Sequence, residues 1–140
     1  MRLPRTLTVA DVMTRRVHVA SLFAPFKLLA RLIDENRISA IPIVDQQGIP
    51  IGIVSETDLR FDDRDLETSQ AAGTNASEIM TAPSVIESDA TLGDAERLMQ
   101  EKNVGCLVVV DGRGRIAGIV SRSDLLQVVI RSEDNHLRKV

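Results

Sequence analysis

The sequence predicts a mixed α/β (α+β) fold built from one strand-helix-strand-strand-helix unit used twice. Three observations predict it. Gly52-Ile53-Val54-Ser55-Glu56-Thr57-Asp58-Leu59 returns 66 residues later as Gly118-Ile119-Val120-Ser121-Arg122-Ser123-Asp124-Leu125, and self-similarity at a fixed period sets architecture before any segment is read singly. At the same offset, the residues from Arg37 to Asp45 align with those from Asn103 to Asp111, keeping apolar positions while identities drift. Within each copy, helical spacing alternates with short runs rich in branched side chains.

Each copy opens on Asp11-Val12-Met13-Thr14 or Glu78-Ile79-Met80-Thr81, which lie 67 apart. One residue has therefore been gained or lost, and the turn around Ser21 or Ser88 is its expected place. Thr8 to Met13 reads as a helical turn with Thr8 as cap, followed by a strand at Val17-His18-Val19. Ala76 to Met80, then Val85-Ile86, repeat this. Phe26, Leu29 and Ile33, with Leu28 and Leu32, form the stripe of a buried helix, matched by Leu92, Ala95, Leu98 and Met99. Pro25 suits a first helical turn, and Thr91-x-x-Asp94 has the form of a capping box. Ile41 to Val44 and Leu107 to Val110 are too short for helices and read as buried strands. Turns at Gln46-Gln47-Gly48 and Gly112-Arg113-Gly114 lead into strands at Ile49 to Val54 and Arg115 to Val120, which makes a hairpin in each copy. A second helix starts at Ser55 or Ser121.

The length of 140 residues is that of one domain. Two units of about 60 residues are each marginal alone and are expected to share a core. One cysteine excludes an internal disulfide, and the absence of a charged-then-apolar leader or long apolar run makes a cytoplasmic protein without membrane insertion the expectation. A formal charge of -3, with three Phe and no Tyr or Trp, argues against nucleic-acid binding. The acidic stretch from Phe61 to Asn75 reads as an exposed linker.

Catalytic equipment is sparse. His18 and His136 have no Cys, Asp or Glu at metal-ligand spacing, and Cys106 reads as a small buried hydrophobe. The chain carries no phosphate-binding Gly-rich loop and no nucleophile elbow. It is read as a protein that is not an enzyme. What remains is Gly-h-h-Ser-x-(Ser/Thr)-Asp, h being apolar, present twice where a strand enters a helix. Hydroxyls and N–H groups at a helix start can receive an anion, and an Asp one turn in can accept from the vicinal hydroxyls of a ribose. The same Ser-x-x-Asp pattern is also an ordinary capping box, and the residues alone leave both readings open.

Asp11-Val12-Met13-Thr14, the run from Ser39 to Asp45, Gly48 and the run from Gly52 to Leu59, with their second-copy equivalents, resemble the CBS domain. Over residues 8–131 the chain resembles a tandem pair, or Bateman module: CBS domain 1 at 8–60, a linker at 61–75, CBS domain 2 at 76–131 and a tail at 132–140. The resemblance implies two units related by a pseudo two-fold axis, with ligand clefts between them. It also implies a regulatory module for an adenosine-containing metabolite, AMP, ADP, ATP or S-adenosylmethionine, with no cofactor required.

By resemblance, one site joins Ser121, Ser123 and Asp124 to Thr14, Val17, His18, Ser39, Ala40 and Ile41, with Gly105 and Cys106 in its wall. The other joins Ser55, Thr57 and Asp58 to Thr81, Ser84, Val85, Gly105, Cys106 and Leu107, with Ser39 and Ala40 nearby. Related modules often place His or Arg at the start of the middle strand to hold phosphate, whereas this chain has Ser39 and Gly105. Arg122, set against Glu56 and supported by Arg15, Arg16 and His18, is expected to make the Asp124 site the tighter one for a phosphorylated ligand.

Two alternatives stand beside this reading: a dimerisation scaffold with vestigial clefts, and a regulatory fragment of an enzyme or transporter. A homodimer is expected, because the helix after Ser121 carries Leu125, Leu126, Val128, Val129 and Ile130. The chain end resembles the lead-in to a BON domain in some bacterial CBS pairs, so a continuation past Val140 is a further expectation, beside that of an ordinary frayed helix end.

Overall fold

Capping chemistry and apolar stripes start and orient the helices. The computed structural model describes residues 2–62 and 74–138. Helix α1 (Val9–Val12) follows Thr8, whose N–H and hydroxyl both donate to the Asp11 carboxylate, at 2.8 and 3.1 Å. Helix α2 (Phe26–Asn36) has Pro25 at its N-cap and buries Phe26, Leu29 and Ile33. Strands β1 (Ala40–Val44) and β2 (Pro50–Ser55) lead to α3 (Glu56–Asp62). In the second copy come α4 (Ala76–Ile79), β3 (Val85–Glu87), α5 (Leu92–Lys102), β4 (Cys106–Val110), β5 (Ile116–Ser121) and α6 (Arg122–Arg138). The expected Thr91-Asp94 capping box is present: the Thr91 hydroxyl accepts from the Asp94 N–H at 3.0 Å, and the Asp94 carboxylate accepts from the Thr91 N–H at 3.2 Å. Helices α2 and α5 each stop on a left-handed residue, Arg37 (φ 52°) and Asn103 (φ 53°). The two hairpin turns need positive φ at Gly48 (84°) and Gly114 (78°), which glycine adopts without a Cβ clash.

The compact units do not follow the repeat. One comprises the chain up to Arg16, Ser84–Arg113 and the chain from Ala117; the other comprises the described residues of Val17–Pro83 with Gly114–Ile116. Each copy's opening helical turn therefore completes the unit built on the other copy's strands. In the first unit, the Val9 N–H donates to the Ala90 carbonyl at 2.8 Å and the Ala10 N–H to Ser88 at 2.9 Å. In the second, the Ala76 N–H donates to Ala24 at 2.9 Å and the Ser77 N–H to Leu22 at 3.0 Å. In place of the one shared core expected for marginal units, two clusters of buried residues form, one inside each unit. The first includes Val9, Met13, Leu92, Met99, Leu107 and Leu125; the second includes Phe26, Leu29, Ile41, Ile43, Val54 and Ala76.

The sheets differ between the copies. β1 and β2 pair antiparallel as a two-stranded sheet, with Ala40 opposite Ser55. In the second copy β3 runs parallel to β4, and β5 completes the order β3-β4-β5. The strand expected at Val17-His18-Val19 does not form; a single parallel bridge joins Ala20 to Ile43 instead. Proline explains the difference. In the second copy the Val108 N–H donates to the Ser84 carbonyl at 2.8 Å. Pro42 stands where Val108 stands and has no N–H, so the matching bond to His18 cannot be made.

The bridges also locate the one-residue change of offset. Thr14 and Thr81 bridge equivalent residues, Ile119 and Ile53, and Ala20 and Ile86 face equivalent residues, Ile43 and Val109. The extra residue thus lies between Thr14 and Ala20, upstream of the turn at Ser21, in the stretch that lacks the strand. Helix α3 extends to Asp62, inside the stretch read as linker; the rest of that stretch up to Gly73 lies outside the described residues. Helix α6 runs on through most of the stretch read as a tail.

Two stability predictions follow from these bonds. Val108→Pro should lower unfolding stability by about 1–3 kcal/mol by taking the donor from the Ser84 carbonyl, as read by urea denaturation. The second concerns acid. The Thr91 backbone N–H, then its side chain, holds the Asp94 carboxyl below the usual aspartate range, and Thr8 does the same for Asp11. A depressed folded pKa stabilises fully above the unfolded value of about 3.9 and loses that contribution as pH falls through the folded value. Asp94→Asn should therefore flatten the loss of stability below about pH 4. An unchanged slope in denaturation curves collected through that range would contradict it.

Candidate functional site

Each Ser-x-(Ser/Thr)-Asp segment sits where a strand becomes a helix, and backbone bonds fix it there. In the first unit β5 delivers Ser121 to the start of α6. The Ser121 N–H donates to Asp124 Oδ2 at 2.8 Å, the Asp124 N–H to Ser121 Oγ at 3.2 Å, and the Arg122 N–H to the Gly105 carbonyl at 2.8 Å. In the second unit the corresponding bonds are 2.7, 3.3 and 2.8 Å, the last from the Glu56 N–H to the Ser39 carbonyl. These bonds occupy the N–H groups of the cap, first and third positions, so fewer are open to an anion than the motif suggests. Those of Ser123 and Thr57, at the second position, are not used in them.

The Met-Thr segments lie alongside. Thr14 and Ile119 exchange two backbone bonds, 2.9 and 3.0 Å, and Thr81 and Ile53 exchange two of 2.9 Å. Thr14 and Thr81 are exposed, whereas Met13 is buried in the first core cluster and Met80 packs against the second. The methionines lie over glycines. A Cβ added to Gly118 would fall 2.7 Å from Met13 Sδ and 2.7 Å from the Thr14 carbonyl oxygen; one added to Gly52 would meet the Met80 side chain, 2.9 Å from Cγ and 3.1 Å from Cβ. These four residues were not among the expected site residues. Their signal in the sequence is that Met and Gly recur unchanged in both copies while Val12 and Ile79 drift.

Thr14, Gly105, Cys106, Ser121, Arg122, Ser123 and Asp124 thus belong to one unit, as do Ser84, Val85 and Leu107. Ser39, Ala40, Ser55, Thr57, Asp58 and Thr81 belong to the other, with Val17, His18 and Ile41. Ile41 and Leu107 are fully buried, so their side chains serve the cores and only their backbone can face a ligand. Arg122 is exposed and lines a cavity of about 70 Å³ with Glu96, Met99, Gln100 and Leu125. Arg15 donates to the Ala10 carbonyl at 3.1 Å. Burial raises the Cys106 thiol above its ordinary pKa. Two larger cavities, about 420 Å³ beside Arg5 and Thr91 and about 410 Å³ beside Phe23 and Asp45, include no residue of either Ser-x-(Ser/Thr)-Asp segment.

The copies differ in their hydroxyls. Ser55 Oγ donates to Asp58 Oδ2 at 2.9 Å, whereas Ser121 Oγ pairs with Ser123 Oγ at 2.8 Å. In both copies the cap bonds use Oδ2 and leave Oδ1 of the carboxylate out. That oxygen can accept from a diol. Among the described residues, no group of three or more His, Cys, Asp or Glu could hold a metal ion, and no helix is long and apolar enough to cross a membrane.

A twice-used α+β unit with a polar cap at each strand-to-helix junction defines a tandem-repeat module. The model of the CBS domain matches residues 9–62 and 76–131, and the chain belongs to the CBS-domain family as a tandem pair. A CBS domain-containing protein of Dictyostelium discoideum is 30% identical over 132 residues, 88% of this chain and 91% of that protein. A Methanopyrus kandleri relative is 32% identical over 128 residues, 89% of this chain and 63% of that protein. Among solved structures, CBSX2 of Arabidopsis thaliana in complex with AMP has a TM-score of 0.79 at 30% identity, covering 90% of this chain and 98% of that one. The CBS domain pair of protein MJ0100, in complex with 5′-methylthioadenosine and S-adenosylmethionine, shares the fold at 23% identity and a TM-score of 0.76, covering 88% and 99%.

The cap role has its own expected magnitude. Ser55→Ala should lower stability by about 1 kcal/mol, whereas Ser55→Asn, which restores a cap acceptor, should change it by only a few tenths. Urea denaturation of the two variants checks this. Because its pKa is raised, Cys106 should react with iodoacetamide more slowly at pH 8 than a solvent-exposed thiol.

Proposed function

We propose that the chain is a regulatory, non-catalytic module that binds an adenosine-containing metabolite, AMP, ADP, ATP or S-adenosylmethionine, through its two Ser-x-(Ser/Thr)-Asp segments. The observation that carries this reading is the division of labour within each carboxylate. Oδ2 closes the helix cap while Oδ1 takes no part in it, and each segment carries a second hydroxyl, Thr57 or Ser123. A cap alone needs no hydroxyl at the second helical position, yet Thr57 and Ser123 supply one in both copies. The AMP complex of CBSX2 supports an adenosine ligand. Adenine would lie against aliphatic walls and backbone, in keeping with the low aromatic content.

The sites are proposed to be unequal. In the second unit the Ser55 hydroxyl is committed to Asp58, while in the first the Ser121 hydroxyl turns to Ser123 and leaves Asp124 with one fewer internal donor. This difference favours the Asp124 site for a ribose diol. Arg122 and Arg15 add positive charge within the same unit.

A second reading, a dimerisation scaffold, draws support from α6, where Leu126 and Ile130 are 45% and 49% exposed. A homodimer is compatible with either reading. Calorimetric titration of wild type, Asp58→Ala and Asp124→Ala with AMP, ATP and S-adenosylmethionine separates them. Unequal losses, larger for Asp124→Ala, are expected. Equal losses would remove the asymmetry, and no heat with any adenosine ligand, together with a dimer mass in light scattering, would favour the scaffold. Thermal melts give a check, since a ligand at 100 times its Kd adds about 2.7 kcal/mol.

A further inference from the structure

We infer that Gly52 and Gly118 are positioning residues for the two sites, and that they act through different neighbours. The inference rests on the reading of the Ser-Asp segments as binding sites and adds what sets their walls. Along β5, Gly118 lies on the same face as buried Val120, while Ile119 and Ser121 alternate to the other face. Met13 fills the space that a side chain at 118 would take and sits in the core with Val120. With Met13 anchored there, the next residue, Thr14, reaches Ile119 through its two backbone bonds and stands exposed two residues along the strand from Ser121. Met80, Gly52, Thr81 and Ile53 repeat the arrangement beside Ser55.

The limits differ. At Gly52 the three atoms nearest an added Cβ all belong to the Met80 side chain, the third being its own Cβ at 3.1 Å, and a flexible thioether can be trimmed or moved. At Gly118 it also meets the Thr14 carbonyl oxygen at 2.7 Å, which accepts from the Ile119 N–H. Backbone in that bond cannot yield without breaking the bridge. A methyl at 118 therefore displaces Thr14 whatever residue 13 is, and a methyl at 52 displaces Thr81 chiefly through Met80.

The test is a pair of double-mutant comparisons read by AMP calorimetry and amide hydrogen exchange. Gly52→Ala and Gly118→Ala should each weaken AMP binding at their own site by roughly tenfold or more, the scale of overpacking a close contact. Adding Met80→Ala to Gly52→Ala removes Sδ and Cγ and leaves only Cβ, at 3.1 Å, so it should restore most of the affinity of Met80→Ala alone. Adding Met13→Ala to Gly118→Ala should leave the loss in place. Exchange supplies a readout that does not need ligand: Thr14 and Ile119 amides should be protected in wild type and lose protection in both Gly118 variants, while Thr81 and Ile53 amides should regain it in the Gly52→Ala/Met80→Ala protein. Equal rescue of both double variants, or unaltered protection at Thr14 in Gly118→Ala, overturns the proposal. Thr14 and Ile119 amides exchanging like an open loop in wild type overturns it even if the variants do not fold. Absence of AMP binding in wild type with the expected exchange pattern would count against the adenosine reading and leave the positioning role supported.

Discussion

Two reciprocal pairs of backbone hydrogen bonds, Thr14 with Ile119 and Thr81 with Ile53, hold this architecture in place. Each ties the opening turn of one sequence copy to the closing strand of the other. The exchange delivers Val9 and Met13 to a core whose other buried members come from the second copy, and Ala76 and Met80 to the core of the first. A repeat of this size buries too little apolar surface by itself to be robust, and borrowing a helical turn enlarges both clusters without a longer chain. The bonds also fix where Thr14 and Thr81 stand relative to the serines at the strand ends, so packing and site geometry share a cause.

On the proposed reading of the sites, one carboxylate serves two purposes. Asp58 and Asp124 complete the cap of the helix that carries them, and a cap of this type contributes about 1 kcal/mol. The bonds that do so orient the carboxylate through one oxygen and leave the other directed elsewhere. A group pinned in this way loses little further rotamer freedom when a ligand arrives, which is the usual advantage of a preformed site. The ordinary capping box and the binding motif are thus compatible descriptions of the same residues.

Much of the fold was legible because local chemistry and global pattern agree. Thr8, Thr91, Gly48 and Gly114 mark starts and turns by their own bonding or backbone freedom, and the stripe through Phe26, Leu29 and Ile33 marks the buried face of its helix. The strand at residues 17–19 was misread because its own residues, Val17 and Val19, suit a strand; the obstacle lies on the partner, where Pro42 lacks a donor. Pairing is a property of two segments, and a reading of one could not reveal it. The exchange of opening turns was hidden for the same reason, since apolar spacing says that Met13 is buried but not in whose core. The serines and aspartates of the site stood out because they repeat. The glycines that make room beside them were visible only as part of the motif, because their role consists of volume that is empty.

Pro42 has a bearing on how the two copies have drifted apart. Once a proline occupies the middle strand, residues 15–19 no longer carry a pairing obligation, and insertions or changes of character there leave the ladder unaffected. The additional residue of the first copy lies in that stretch, next to the turn where Leu22 and Phe23 replace Ser88 and Asp89. In the second copy the bonds of Ser84 and Val108 keep the equivalent segment under constraint. One copy thus holds this segment by backbone bonds while the other leaves it free of that tie, so divergence between the two copies can accumulate there at little cost to the fold.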